Sequence, residues 1–406
     1  MLCYKNKCFI PFWKIKIQNK NIYFCAMQRI YFDNAATTPI AQEVVATITD
    51  VMTNHYGNPS STHQYGRSAK ALVEKSRKTI AKSLNCTASE IVFTAGGSEA
   101  DNMILHNAVS NLKVKRILTS SIEHHAVLHT IEALKKDFDI EVDFVNVDPN
   151  GEVDYQHLEA LLQQSELKTL VSLMLVNNEV GTILNLEKVI AICKNNHALF
   201  HSDTVQGIAH VALDLQKAPV DFIAASAHKF HGPKGVGFAV FKKGFGINPI
   251  LHGGEQERGA RAGTENLHSI AGMAKALELA VSNFEKDKIY ISHLKQYFIT
   301  QLQNSFNGIQ FNGNSNHLDK SANHILNVRF GKDYPMLLFH LDLKGIAASG
   351  GSACQSGSNQ GSHVLNTILS TQDALKTSVR FSFSKYNTKA EVDIVIGVLK
   401  DILLKK

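Results

Sequence analysis

The chain has 406 residues, of which 44% are hydrophobic and 19% charged, with six cysteines and a formal net charge of +6. That length is more than one core covers and predicts two domains, and the composition excludes disordered and fibrous classes. Six cationic residues (Lys5, Lys7, Lys14, Lys16, Lys20 and Arg29) precede the first acid, Asp33, so the remainder is neutral and offers no electrostatic footprint for nucleic acid.

The stretch Met1 to Ala26 reads as an extension outside the fold, with Met27 as the natural start. Its apolar run around Phe9 to Trp13, interrupted by Pro11 and ended by Lys14, is too short for a membrane span. It has no apolar core followed by a small-residue cleavage site, which argues against a secretory signal. It is basic and acid-free like a transit peptide, yet almost without Arg or Ser. Cys3, Cys8 and Cys25 belong to it. Cys86, Cys193 and Cys354 are scattered without a Cys-x-x-Cys pair, so a reducing, cytoplasmic setting is expected rather than a disulfide framework or zinc ribbon.

From Ile30 onward short apolar runs alternate with helical patterns. Strands are predicted at Ile91–Thr94, Arg116–Thr119, Glu141–Val147, Thr169–Val176, Ala198–Ser202, Phe222–Ala225 and Val236–Phe241. Helices are predicted from the Gly-Gly-Ser turn to Val109 and at Val127–Lys136, Tyr155–Leu162 and Leu186–Lys194. This alternation predicts an α/β fold with a largely parallel, doubly covered sheet. One long helix is predicted over Ser269–Leu302. It is followed by strands near His324–Arg329 and Thr377–Phe383 and a last helix over Lys389–Leu404, which together read as a smaller α+β domain. The expected division is 27–264 for a large domain, its N-terminal segment packing with the small one, and 265–406 for the linking helix and small domain.

Chemistry concentrates at strand ends. Gly96-Gly97-Ser98 opens a helix and is either an anion site, where N–H groups and the helix dipole meet a phosphate, or a plain tight turn. Asp203, in Phe200-His-Ser-Asp203-Thr-Val-Gln206, either keeps a pyridine nitrogen protonated or caps the next helix. His124, at a strand-to-helix junction, suits stacking on a planar cofactor and moving protons near neutrality. His125 and His129 have the spacing of a metal pair on a helix, with His228 and His231 as recruits, but no His-Glu-x-x-His accompanies them, and no metal is expected. Lys229, in Ser226-Ala-His-Lys-Phe-His-Gly, sits at the mouth of a buried strand. There it is either a desolvated nucleophile able to form a Schiff base or a lysine reaching to water. Cys354 lies in a Gly/Ser loop, where a thiol is accessible and its thiolate reactive. Arg380, on a later strand, suits a substrate carboxylate or an ordinary ion pair.

Taken together, Ser-x-His-Lys229, Asp203-x-x-Gln206, His124, Gly-Gly-Ser98, the loop Cys354 and Arg380 resemble the cysteine desulfurases, class V relatives of the aminotransferases that use pyridoxal 5'-phosphate. Further matching stretches are Tyr31-Phe-Asp-Asn-Ala-Ala-Thr-Thr-Pro39, Tyr56-Gly-Asn-Pro-Ser60, Val176-Asn-Asn-Glu-Val-Gly181, His252-Gly-Gly-Glu-Gln-Glu-Arg258 and Arg261-Ala-Gly-Thr264. The Ser-Ala-Cys on a long loop resembles the branch serving general iron–sulfur assembly. One departure is Ala227, where relatives often carry Gly.

The resemblance implies the type I aminotransferase fold with a seven-stranded, mostly parallel sheet. It implies that Lys229 holds the cofactor as a Schiff base and His124 stacks on its ring. Asp203 would pair with the ring nitrogen and Gln206 with the ring hydroxyl. Gly97, Ser98, Ser226 and His228 would bind the phosphate, with Thr264 reaching in from the partner subunit of a homodimer. Asn178 and Arg380 would hold the carboxylate of L-cysteine, and Cys354 would take its sulfur, leaving alanine and a persulfide for an acceptor such as an iron–sulfur scaffold. No membrane or nucleic-acid partner is implied. The rival readings are a class V transaminase, which needs no loop cysteine, a selenocysteine lyase, and a catalytically silent scaffold.

Overall fold

The computed structural model describes residues 13–17, 20–24, 29–350 and 361–404. Within the N-terminal extension, β1 (Trp13–Ile17) and β2 (Lys20–Phe24) pair antiparallel, Trp13 opposite Phe24 and Ile17 opposite Lys20. The alternation Trp-Lys-Ile-Lys-Ile is a period-two strand signal. Among the described residues the two strands pair only with each other.

After β3 (Ile30–Tyr31) the chain builds one seven-stranded sheet. Its strands are β4 (Ile91–Thr94), β5 (Arg116–Ser120), β6 (Glu141–Val145), β7 (Thr169–Ser172), β8 (Leu199–Asp203), β9 (Phe222–Ser226) and β10 (Gly237–Phe241). The order is β4-β10-β9-β8-β7-β5-β6, and every pairing is parallel except the two made by β10. Successive side chains alternate between faces, and both faces are covered. Ile91, Phe93, Phe200, Ile223 and Phe238 join one core, while Val92, Ile117, Phe222 and Ala239 join the other. The expected seven-stranded, mostly parallel sheet is therefore present, although the strand predicted to run to Val176 ends at Ser172.

Helices Gln42–Asn54 and Gln64–Leu84, which the sequence reading did not single out, pack on helix Leu267–Ser282. The approach is close: a Cβ at Gly272 would stand 2.7 Å from Ile48 Cγ1. The single helix expected over Ser269–Leu302 is instead two, Leu267–Ser282 and Phe284–Ser305. They break at Asn283 (φ −106°, ψ 7°), whose side chain donates to the Leu279 carbonyl at 2.8 Å, a backbone-competing bond of the kind that ends helices.

A second core surrounds β11 (Gln310–Phe311), β12 (Ile325–Arg329), β13 (Ile346–Ala347) and β14 (Ser378–Ser382), with β12 central between β11 and β14. Phe298, Phe381 and Phe383 fill it together with Ile30 and Phe32, and β3 pairs in parallel with β13. The segment 30–38 thus starts in the second core and ends against the first. No helix among the described residues is long and apolar enough to cross a membrane.

Because β1 and β2 pair only with each other among the described residues, deleting residues 1–26 is expected to leave the thermal unfolding midpoint unchanged; a large drop on calorimetry would show that the extension is part of the fold.

Candidate active site

β4, β5, β7, β8 and β9 run in the same direction, so their C-terminal ends converge on one edge of the sheet, where ligands bind in open α/β sheets. A cavity of about 650 Å³ lies there. Gly97 and Ser98 follow β4, His124 follows β5, and Asn178 lies beyond β7. Asp203 closes β8 with Gln206 after it, and Ser226, His228 and Lys229 finish β9. Arg380 enters from β14 of the second core. All ten of these predicted residues line the cavity. Thr264 is exposed and is not among its lining residues, and Cys354 lies outside the described residues.

Lys229 ends a short 3₁₀ turn, Ala227–Lys229, and is partly buried. Its Nζ donates to the carbonyls of Ala35 (2.6 Å) and Ala36 (2.9 Å). The same segment grips the turn from the other side, where Thr38 N and Oγ1 donate to the His228 carbonyl at 2.9 and 2.8 Å. Sequence reasoning quoted Tyr31–Pro39 only as a matching stretch; the structure makes it the wall that closes over the lysine.

At the opposite end, helix Gly97–Ser110 points its N-terminus into the cavity. A Cβ at Gly97 would lie 2.5 Å from Val205 Cγ2, so only glycine lets the turn close on its neighbour. Exposed N–H groups there, with Ser226 and His228 beside them, form a donor set for a phosphate. Arg261 binds Glu99 at 2.8 Å, tying the Arg261–Thr264 stretch to this helix end.

The floor is acidic and dry. Asp203 accepts from Val205 N at 2.9 Å, and burial pushes its carboxyl up to about 6 against the opposing pull of Lys229. Asp101, which sequence reasoning missed, is fully buried behind it. Burial, Asp203 and Glu123 push its carboxyl well above the usual range. It lies 3.4 Å from His201 Nε2, while His201 Nδ1 meets Ser172 Oγ at 2.9 Å. Burial drives His201 down to about 3, so this contact is between neutral groups rather than an ion pair. Burial also lifts Glu123 to about 8. No local pattern marks Asp101, because its partners lie in distant strands.

His124 caps helix His125–Asp137, its Nδ1 accepting from Ala126 N at 3.1 Å. Burial, followed by the nearby Lys229, drives it down to about 4, which keeps the ring neutral. On the far wall Arg380 donates from Nη1 to the Asn178 carbonyl (2.7 Å) and from Nη2 to Asp33 Oδ1 (3.1 Å). Its Nε and Asn178 Oδ1 are buried with no hydrogen-bond partner among the described residues. A buried guanidinium N–H left free by the described residues can bind a polar ligand, and a carboxylate suits Arg380.

His125 and His129, which have metal-pair spacing but for which no metal is expected, lie together away from this cavity. The His125 and His129 rings stack at 4.7 Å with 24° between planes and border a separate cavity with His363. His231 points elsewhere, to the Pro39 carbonyl. Among the described residues no group of three His, Cys, Asp or Glu side chains is placed to hold a metal ion.

A doubly covered sheet whose strand ends bring together a lysine, a buried acid and a glycine-opened helix is the architecture of the aminotransferase-type enzymes. The class V aminotransferase family profile matches residues 30–395. The cysteine desulfurase IscS of Dictyoglomus turgidum is 38% identical over 381 residues, 93% of this chain and 95% of that protein. Among solved structures, a NifS-like protein superposes with a TM-score of 0.85 at 36% identity, covering 93% of this chain and 100% of that one. SspA, solved in complex with cysteine, gives 0.76 at 30%, covering 89% and 100%. The chain belongs to the class V aminotransferase family and, within it, to the cysteine desulfurases. The transaminase, lyase and silent-scaffold readings are not favoured.

With its ring driven down to about 4, His124 is expected to stay neutral from pH 8 to pH 5. Its imidazole proton resonance should not move over that range in an NMR titration, whereas an exposed histidine titrates near 6.5.

Proposed function

We propose that this chain removes sulfur from L-cysteine with pyridoxal 5'-phosphate held at Lys229, giving L-alanine and a persulfide on Cys354. The observation that carries this reading is the cavity itself: Lys229 at its mouth, the Gly97 turn at one end, buried Asp203 on its floor and Arg380 with Asn178 on its wall. The residues fit the cofactor. The N-terminus of helix Gly97–Ser110, Ser226 and His228 supply donors for its phosphate, with Thr264 of a second copy completing them in a homodimer. Asp203 supplies the acid partner for its ring nitrogen, Gln206 a partner for the ring hydroxyl, and His124 a neutral face to stack upon. When bound, the cofactor supplies an electron sink for charge developing at the substrate α-carbon.

The chain's own residues do the rest. Arg380 and Asn178 bind the carboxylate and so orient the α-carbon–hydrogen bond. Lys229 Nζ takes the α-proton. Neutral His124 is able to accept and return a proton near the sulfur. The Cys354 thiolate attacks that sulfur; one S–S bond forms, the carbon–sulfur bond breaks, and a proton completes alanine. Cysteine and the enzyme thiol thus become alanine and the enzyme persulfide with no outside oxidant. The persulfide passes to an acceptor, an iron–sulfur scaffold or a tRNA-thiolation partner, in the cytoplasm.

Three experiments test the reading. Cys354→Ser should keep the yellow cofactor band but release no sulfide from L-cysteine, and full sulfide release would overturn the persulfide role. Lys229→Ala should lose the band; a retained band would rule out that lysine. The third concerns pH. A raised carboxyl is protonated below its pKa, so Asp203, at about 6, is ionised above pH 6 and loses its charge as pH falls through that value. Cofactor affinity should therefore fall below pH 6 by about tenfold per unit, the slope of one linked proton. Asp203→Asn should bind weakly and without that slope, as read by fluorescence titration.

A further inference from the structure

Behind Gln206 lies a pair of histidines that the reaction does not use. Gln206 Nε2 donates to the Ala35 carbonyl at 2.8 Å. A carbonyl can only accept, so the amide orientation is fixed and Oε1 must be the acceptor for His324 Nε2 at 3.2 Å. His324, just before β12, is buried, and its Nδ1 has no hydrogen-bond partner among the described residues. Its ring stacks on His210 at 3.7 Å with 21° between planes, and His210 Nε2 reaches the Lys229 carbonyl at 3.1 Å. The charged and titratable groups around His324 are His210, Lys295, Arg380 and Lys229, all bases, and burial among them holds its imidazole well below the usual range. A second proton has nowhere to go.

We propose that His324 is a positioning residue for the cofactor. Stacked on His210, its single N–H holds Gln206 Oε1 and, together with the Ala35 carbonyl, locks the amide with its NH₂ end at the cavity wall. The second hydrogen of that NH₂ is then presented to the cofactor's ring oxygen, and the second core controls a contact made by the first. The inference rests on the cofactor reading above and names the residue that sets the polarity of one of its contacts.

The test uses the full chain reconstituted with pyridoxal 5'-phosphate and reads the pH midpoint of its visible band. Losing an N–H donor leaves the ring oxygen more negative, and that charge holds the neighbouring imine proton more tightly. Gln206→Leu and His324→Phe, the latter keeping the ring stack, should each raise the midpoint by about one unit, the worth of one hydrogen bond to a charged oxygen. The double variant should rise no further than either single one, and His324→Asn, which still donates, should stay near the unsubstituted protein. Should the phenylalanine variant not fold, His324→Leu carries the same test. An unmoved midpoint in the His324 variant beside a raised one in Gln206→Leu overturns the proposal, as does additivity in the double variant. A protein that forms no band, or a Gln206→Leu variant with an unmoved midpoint, overturns the cofactor reading of the site and the proposal with it.

Discussion

The site depends on the bond between the Lys229 amine and the carbonyls of Ala35 and Ala36. An amine at the rim of a dry sheet edge must find acceptors, since leaving it unpaired there costs several times what one hydrogen bond returns. Those acceptors come from a segment nearly two hundred residues earlier in the chain. Ala35 also accepts from Gln206, and its N–H donates to Ser382 Oγ at 2.8 Å. Asp33 meets Arg380 and bridges backbone to backbone with Ser382. Residues 33–38 are thus the seam along which the second core is sewn to the lysine end of β9. Movement of either core relative to the other would be felt at the Lys229 amine.

Burial sets the proton inventory of the cavity in a consistent direction. Acids on the floor and behind it (Asp203, Asp101 and Glu123) are pushed up, and imidazoles on the walls and behind them (His124, His201, His210 and His228) are pushed down. Desolvation is the first cause in each, and it disfavours the charged form whichever sign it carries. The result near neutrality is that Asp101 and Glu123 hold protons, Asp203 at about 6 is ionised, and the imidazoles around them are neutral. A cationic ring nitrogen arriving above Asp203 would reverse the local cost for that one carboxyl, because it brings the counter-charge that burial denies it. Lys295, buried, bonded to Ser321 and Ala322 and held at about 7, follows the same rule away from the cavity.

How much of this was legible in the sequence follows from the range of each interaction. Ile91–Thr94 was placed to the residue because three apolar residues and a β-branched threonine run up to a Gly-Gly pair one residue on, a signal contained within a single window. Lys229, Asp203, Gly97 and His124 were legible for the same reason, each sitting where an apolar run ends. Helix Gln64–Leu84 was not, because its buried stripe of Ala69, Val73, Ser76, Ile80 and Leu84 is diluted by small and polar residues. The break at Asn283 was hidden because apolar periodicity continues on both sides of it, while the two helices serve different cores. Asp101, Asp33 and His324 escaped notice since their partners (His201, Arg380 and Gln206) are about 100 residues or more away, and nothing local distinguishes a buried acid from a solvated one.

The described residues that flank the cysteine segment are bonded to the edge of this cavity. On one side Ser349 exchanges backbone hydrogen bonds with Arg380 (2.7 and 3.2 Å), and its hydroxyl donates to Asp33 at 3.0 Å. On the other, the Ser362 hydroxyl donates to Glu179, next to Asn178, and His363 Nε2 donates to the carbonyl of Glu123, next to His124, at 2.9 Å. Each anchor is therefore bonded to a cavity-lining residue or to its immediate neighbour. Cys354 is five residues from Ser349, and covalent geometry limits five residues to roughly 18 Å. In the proposed reaction, a thiol on a tether of that length would meet a carboxylate-anchored substrate at an effective concentration that free thiols in solution do not reach.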